Sequence, residues 1–393
     1  MNPTIERTVL TSKLESAKRY GFMRTKTESN AATRITYLYD AVGLTPAYMD
    51  FAGGAFNYGG WEAFVNEVQR PVMLKTDGTV DYELSRADFT KKIDGSASDI
   101  SDTAYAGNAM IEFKKYKWVY QYEDANYEYF ICSNVKWDAN YKAYAFQNAN
   151  ANIKDTFYWG AFKGIYSTHL RSIADQAVMS GQTRNVEVSR ATDNGAGYYT
   201  IYKSGWDYIG NLLTLISKSD NSQVSFGSGR SKSTNTTAIA TGTLKTLPQF
   251  IGYNDETSDV KVFGIEGFWG NVWEGMAGLI LATTIKTKLT PPYNFDATGY
   301  TDTTITPSGT NGGYVNTAKV DSEMGFIPKT ASGSGTTYYC DGLYFNTSQV
   351  DYALVGGTWY YGLLVGSHCA ALHALASITD THFGSRLSFL SAT

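Results

Sequence analysis

Gly264-Ile265-Glu266-Gly267-Phe268-Trp269-Gly270-Asn271-Val272-Trp273-Glu274 is the stretch whose reading decides the fold. Small residues are interleaved with large rings, so the backbone can pass close beside aromatic side chains. Alone, the run reads as a core strand with a tight turn. Two later stretches add to it. Gly356-Gly357-Thr358-Trp359-Tyr360-Tyr361-Gly362 opens the carboxyl-terminal segment, and Phe383-Gly384-Ser385-Arg386-Leu387-Ser388-Phe389 closes it. Three of the chain's four histidines, His368, His373 and His382, fall between those ends. The run from Gly356 to Leu390 contains no Lys, Glu, Gln, Met, Pro or Asn. Glycines and a Trp at set places, with unrelated side chains in the gaps, describe a fixed frame holding changeable fillings.

At 393 residues the chain is long enough for two domains, or for one elaborated domain with a sizeable core. Hydrophobic content of 43% and charge of 18% place it among folded globular proteins. Its 30 Tyr, 19 Phe, 8 Trp and 38 Gly against only 8 Pro favour strands and glycine turns over long helices. A net charge of −4 leaves no basic footprint for nucleic acid. Cys132, Cys340 and Cys369 are too few, and odd in number, for a disulfide framework. The opening Met1-Asn2-Pro3-Thr4-Ile5-Glu6-Arg7 is not a basic-then-apolar secretion signal. No run approaches the ~18 apolar residues that cross a bilayer, so membrane insertion is not expected. The expectation is a product made in the cytoplasm, which would reach the outside by a route such as assembly into a virus particle.

Residues 1–105 read as a separate, smaller, β-rich module, and residues 106–393 as the main domain. Within the first, residues 5–22 mix apolar and charged positions and predict a short helix. Val72 to Tyr82 predicts a hairpin, because Asp77-Gly78 accepts the positive φ angles of a type I′ turn. The polar run Asp94-Gly95-Ser96-Ala97-Ser98-Asp99 predicts a linker. From Met110 onward Ile111, Phe113, Trp118, Tyr120 and Tyr122 alternate with mostly polar residues, the pattern of a half-buried strand. Tyr127-Tyr129-Ile131 and Phe157 to Phe162 continue it. Trp206, Ile209, Leu213 and Ile216 share one face of a predicted amphipathic helix, with Ser204 as its cap and Asp207 in its first turn. Residues 219–245 and 296–340 are rich in Ser, Thr and Gly and predict surface loops, the second with a Gly333-Ser334-Gly335 tip.

Gly270-Asn271-Val272-Trp273-Glu274, Gly356-Gly357-Thr358-Trp359 and Gly384-Ser385-Arg386 together resemble the C-type-lectin-like fold of the formylglycine-generating-enzyme type. Members of that group carry Gly-Asn-Val-Trp-Glu, then Gly-Gly-Ser-Trp, then a last strand with Gly-Phe-Arg or similar. The resemblance covers residues 106–393 and implies an α+β fold, with residues 1–105 outside it.

Within that fold the tail looks most like the variable proteins of diversity-generating retroelements of phages and bacteria. There, adenines of a template copy are randomised and written into the carboxyl-terminal coding repeat. AAC codons treated this way never yield Lys, Glu, Gln, Met or Trp; Asn and Pro, also missing here, are not forbidden by that rule. The resemblance implies a variable ligand-binding region at 356–390. Its varied positions would be Tyr360, Tyr361, Leu364, Ser367, His368, Ala371, His373, Ala374, Ile378, Asp380 and His382. Gly270, Asn271, Trp273, Glu274, Gly356, Gly357, Trp359, Gly384 and Arg386 would be the scaffold, with Gly362, Gly366 and Leu372. It also implies a host-surface protein or glycan as ligand, display as a homotrimer in the virion tail, and attachment to phage tail or baseplate proteins through residues 1–105.

Other chemistries leave weaker traces. His368 with His373, and Asp380 with His382, are zinc-ligand types. The spacing of His368 and His373 matches no His-x-x-x-His helix pattern and places the rings on opposite faces of a strand. The Glu-Pro-Asn and Gln-Pro-Asp calcium loops of carbohydrate-binding C-type lectins are missing from the sequence. The formylglycine-generating enzyme itself uses two active-site thiols, whereas only Cys369 lies in the tail, off the family's positions, with Cys340 upstream. No Gly-x-Ser-x-Gly, phosphate loop or His-Glu-x-x-His occurs, and Glu123-Asp124 and Asp255-Glu256 suit solvated turns rather than an opposed acid and base. The expectation is a non-enzymatic binder without cofactor or metal. The competing reading is a formylglycine-generating-enzyme-like oxidoreductase, or an invariant structural tail protein of the same fold.

Overall fold

The β-branched and aromatic runs form strands throughout, and sheets of four, six and ten strands carry the architecture. The computed structural model describes residues 17–165 and 167–392. The four-stranded sheet runs in the order Ile35–Tyr39, Arg19–Thr25, Tyr127–Ser133, Trp118–Glu123. The six-stranded sheet runs Tyr198–Thr200, Leu387–Phe389, Thr156–Gly160, Gly107–Lys114, Gln69–Lys75, Val80–Glu83. The largest sheet is built around Trp273–Ala282 and Val350–Val355, with Ala370–Ala374 next in order.

Strands from both sides of residue 105 therefore share sheets. Arg19–Thr25 pairs with Tyr127–Ser133, and Gln69–Lys75 pairs with Gly107–Lys114 over seven residues. The boundary drawn at 105 falls inside these sheets, because Asp94 to Asp99 is a tight turn and not a linker. Asp94 Oδ1 accepts from Ser96, Lys91 bridges to Ala97, and the Tyr82 hydroxyl binds Asp99.

Several local expectations need correction. Most of the helix predicted over 5–22 lies outside the described residues, and its last positions, from Arg19, are strand. The hairpin at Asp77-Gly78 forms, but only Gly78 has positive φ, at 82°, and Gly78 N–H closes the turn onto Lys75 O at 2.9 Å. That is not the type I′ geometry, which needs positive φ at both positions. Gly107–Lys114 is buried along all but its last residue, because neighbours flank it on both edges and cover both faces. The helix spans Lys203–Ser217 and every residue but Asp207 is buried, so it is a central core helix and not an amphipathic one. Ser204 does not cap it; its hydroxyl donates to Leu289 O. The 219–245 segment holds a short helix, Ser222–Phe226, mostly buried. Residues 296–340 contain the long hairpin Gly313–Asp321 and Gly325–Gly333, whose alternating burial was masked in sequence by threonines and glycines.

One large hydrophobic core runs from Phe22 to Leu390 through Trp61, Phe113, Trp159, Trp206 and Trp269. A smaller cluster lies beneath the tail: Trp273, Tyr352, Leu354, Cys369, Ala371, Ala374 and Phe383. No helix among the described residues is long and apolar enough to cross a membrane.

Candidate functional site

The tail begins where Val350–Val355 leaves the large sheet. Gly356 and Gly357 both adopt φ +83°, and a Cβ on Gly357 would lie 2.5 Å from Val365 Cγ1. No other residue type fits that combination of backbone and space. The chain then bonds to the earlier glycine turn. Gly270 N–H donates to Gly356 O at 3.0 Å, and Trp359 N–H and the Thr358 hydroxyl donate to Asn271 O at 3.0 and 3.1 Å. Asn271, itself at φ 64°, uses its side-chain amide to accept from Ile239 N–H and donate to Ile239 O. The two sequence motifs are thus two halves of one hydrogen-bonded joint.

The other end of the tail is fastened by charge. Phe383–Gly384 runs parallel to Trp273–Glu274, and Arg386, fully buried, meets Glu274 through Nε at 2.9 Å and Nη2 at 2.7 Å. The remaining guanidinium protons go to the carbonyls of Gly160, Glu266 and Gly267. Lys163 Nζ binds the same carboxylate at 2.5 Å and Val272 O at 3.1 Å. Burial pushes the Glu274 carboxyl up, but Arg386 and Lys163 outweigh it and hold it below its usual range. All nine scaffold residues, Gly270, Asn271, Trp273, Glu274, Gly356, Gly357, Trp359, Gly384 and Arg386, are buried.

Between these fastenings lies a half-exposed ledge of rings. Tyr360 sits edge-on to Tyr361, with centroids 4.8 Å apart, and edge-on to His382 at 5.4 Å. Its hydroxyl lies 3.3 Å from His382 Nε2, while Asp380 Oδ1 holds His382 Nδ1 at 2.5 Å. Tyr361 stacks on Tyr344 at 5.2 Å and 26°, and Tyr344 in turn lies 5.7 Å from the His373 ring. Trp273 and Trp359 form the inner wall. Burial lowers the pKa of His382 against the raising effect of Asp380, and lowers His373 with help from His382. Burial also pushes the Tyr344 phenol up to about 12. The ledge therefore presents neutral imidazoles and protonated phenols.

Five predicted variable residues form this ledge, Tyr360, Tyr361, His373, Asp380 and His382, all half-buried, and a sixth, Ile378, is 40% exposed. Leu364 is half-buried against Gly342. Four are misplaced by the sequence reading. Ser367, His368, Ala371 and Ala374 are buried and present no side chain outward. Ala371 and Ala374 belong to the cluster under the ledge, because Ala370–Ala374 is an interior strand between Gly342–Phe345 and Val350–Val355. His368 lies in the main core between the rings of Phe326 and Tyr339, 3.5 Å from Arg24 Nη2. His368 and His373 are therefore in separate environments and form no pair. Among the described residues no set of three His, Cys, Asp or Glu side chains is placed to hold a metal ion. Two residues were missed. Tyr344 lies outside the tail, in the stretch between the predicted 296–340 loop and Gly356 to which the sequence reading assigned nothing. Leu363, 52% exposed, is the most exposed large apolar residue of the tail, and only its place after Gly362 hinted at that.

The site is thus a fixed, cross-bonded frame holding a ring-lined face on a mostly β scaffold. Solved structures similar to the chain include the Major Tropism Determinant I1 Variant, at 12% identity and TM-score 0.32. The Major Tropism Determinant M1 and U1 Variants are similar at 12% and 11% identity, each with TM-score 0.33. In all three the match covers 82% of this chain and 72% of the other. No family model and no curated protein sequence matches the chain.

Proposed function

We propose that this chain is a diversified receptor-binding protein of a phage tail, gripping a host-surface protein or glycan through a rewritable face on a C-type-lectin-like scaffold. The supporting observation is the division of labour in the tail. Frame residues are buried and bonded across it, through Arg386–Glu274–Lys163 and the paired glycine turns, while Tyr360, Tyr361, His373, Asp380 and His382 meet in one half-exposed group and Ile378 is exposed. Large rings with few rotors and a polar tip are the side chains that dominate protein recognition surfaces. A fixed frame lets such side chains change at small cost, under ~0.5 kcal/mol at most exposed positions.

In this reading the protein is a binder and not a catalyst. The thiols of Cys340 and Cys369 are both pushed up by burial, and all three cysteines are free. A reactive thiol needs the opposite environment. Display as a homotrimer on tail or baseplate proteins would raise avidity ~100-fold over a single face. The test is the sequence of sister gene copies and of the DNA beside them. Differences crowded at the ledge positions, with an adenine-differing template repeat nearby, are expected. Differences scattered evenly along the chain would instead mark an invariant structural tail protein.

A further inference from the structure

Resting on that reading of the ledge, we propose that Tyr344 is a constant contact residue at its centre, and that the face takes a protein surface with an apolar projection. Tyr344 precedes Gly356 and so lies outside the rewritten run. Its ring nonetheless joins the two parts of the ledge, stacking on Tyr361 at 5.2 Å and reaching His373 at 5.7 Å. The strand Gly342–Phe345 fixes it, in register opposite Ala371, and Gly312 leaves the space it fills: a Cβ there would be 2.7 Å from Tyr344 Cε1. Whatever side chains occupy positions 361 and 373, the same half-buried phenol stays between them.

The class of partner follows from ring geometry and charge. A sugar recognised by stacking needs an open ring face. One face of Tyr361 is taken by Tyr344, and Trp273 at 5.5 Å and 81° and Tyr360 at 4.8 Å and 88° stand at steep angles to its ring. From Gly356 to Ser385 there is no Lys or Arg to attract a phosphate or sulfate, and the Asp380 carboxylate is engaged by His382. Leu363 and Ile378, 52% and 40% exposed, add apolar area in the same segment. Aromatic enrichment with charge depletion is the composition of a protein–protein interface core.

The experiment uses fluorescently labelled full-length chain and a panel of intact bacterial strains, read by flow cytometry. Tyr344→Ala is expected to weaken binding to a recognised strain by ~10-fold or more, and Tyr344→Phe, which keeps the ring, by under ~3-fold. The same loss is expected when Tyr344→Ala is placed in sister copies that differ at Tyr360, His373 and His382. Tyr344→Leu, which retains packing volume, carries the same expectation where Tyr344→Ala disturbs folding. Surface proteolysis of the cells should abolish binding, and periodate oxidation should leave it. Unchanged binding by Tyr344→Ala and Tyr344→Leu, while Tyr360→Ala loses it, overturns the role of Tyr344. Loss on periodate but not on proteolysis overturns the protein partner. If Tyr360→Ala and His382→Ala also change nothing, the fault lies in the binding-face reading itself.

Discussion

Arg24 Nη2 lies 3.5 Å from His368 Nε2 and, as a group that only donates, favours a lone pair on that nitrogen. In the neutral imidazole the proton then sits on Nδ1, 3.3 Å from the Ser367 hydroxyl and 3.7 Å from Asp341 Oδ2. Burial agrees, pushing the imidazole down to about 3 and the Asp341 carboxyl well above its usual value. The depressed histidine contributes stability that is full above ~6.5 and lost as pH falls; the raised carboxyl contributes stability that is full below ~3.9 and lost as pH rises. Between those limits the two slopes cancel, and above ~6.5 only the Asp341 loss remains. Asp341→Asn deletes the Asp341 loss, so the stability of the variant relative to the parent protein should climb with pH in urea denaturation followed across pH 4.5–8.5. Parallel profiles in the two proteins would refute the raised Asp341 carboxyl. The Arg386–Glu274 contact gives a second residue-scale prediction. Arg386→Ala leaves a buried carboxylate with Lys163 alone and should cost about 3–5 kcal/mol in the same assay. Because Glu274 is depressed, that contribution is present above ~4.3 and lost as pH falls through its lower folded value, so the gap between the two proteins should close in acid.

At the scale of elements, the two tail glycine turns differ in what they tolerate. Gly357 combines φ +83° with Val365 2.5 Å from any Cβ, while Gly362, at φ +57°, faces open space. Gly357→Ala should cost about 2–4 kcal/mol, from left-handed strain plus overpacking, and Gly362→Asn under about 1 kcal/mol. Thermal melts of the two variants would show it, and equal shifts would argue against the turn geometry. This contrast also explains what the sequence made legible. Glycine and asparagine turns, the Gly-Asn-Val-Trp-Glu strand and the Arg386 end rest on local backbone chemistry, so they could be read residue by residue. Which side chains of Ala370–Ala374 face out depends on both flanking strands and on a register shift between Tyr352 and Leu354. No local pattern carries that, and so Ala371, Ala374 and His368 were read as surface. The all-round burial of the core helix was equally out of reach, because its polar residues Ser204, Asn211 and Thr214 find their partners within the fold. The Thr-rich hairpin of 313–333 lacked apolar alternation because half of each strand is only partly covered.

Across the whole molecule, the tail is at once core and surface. Its carboxyl end, Leu387–Phe389, inserts between Tyr198–Thr200 and Thr156–Gly160, and its middle strand lies inside the large sheet. A segment built this way cannot vary freely along its length. Tyrosine at Ala371 or Ala374 must displace Trp273, Tyr352 or Leu354 in the cluster beneath the ledge, at ~1–3 kcal/mol or more, and lift Tyr344 and Tyr361 from below. Exchanges at Tyr360, Ile378 and His382 remove outer contacts only and should stay within about 1 kcal/mol. Single-site libraries at the eleven positions, sorted for protease resistance of the full-length chain, are expected to divide accordingly. Ala371 and Ala374 should retain only small residues, Ser367, His368 and the half-buried Leu364 a narrow set, and Tyr360, Tyr361, His373, Ile378, Asp380 and His382 most substitutions. A folded population equally rich at Ala371 and Ile378 would mean that the strand does not lie where the sheet places it, and the ledge would lose its floor.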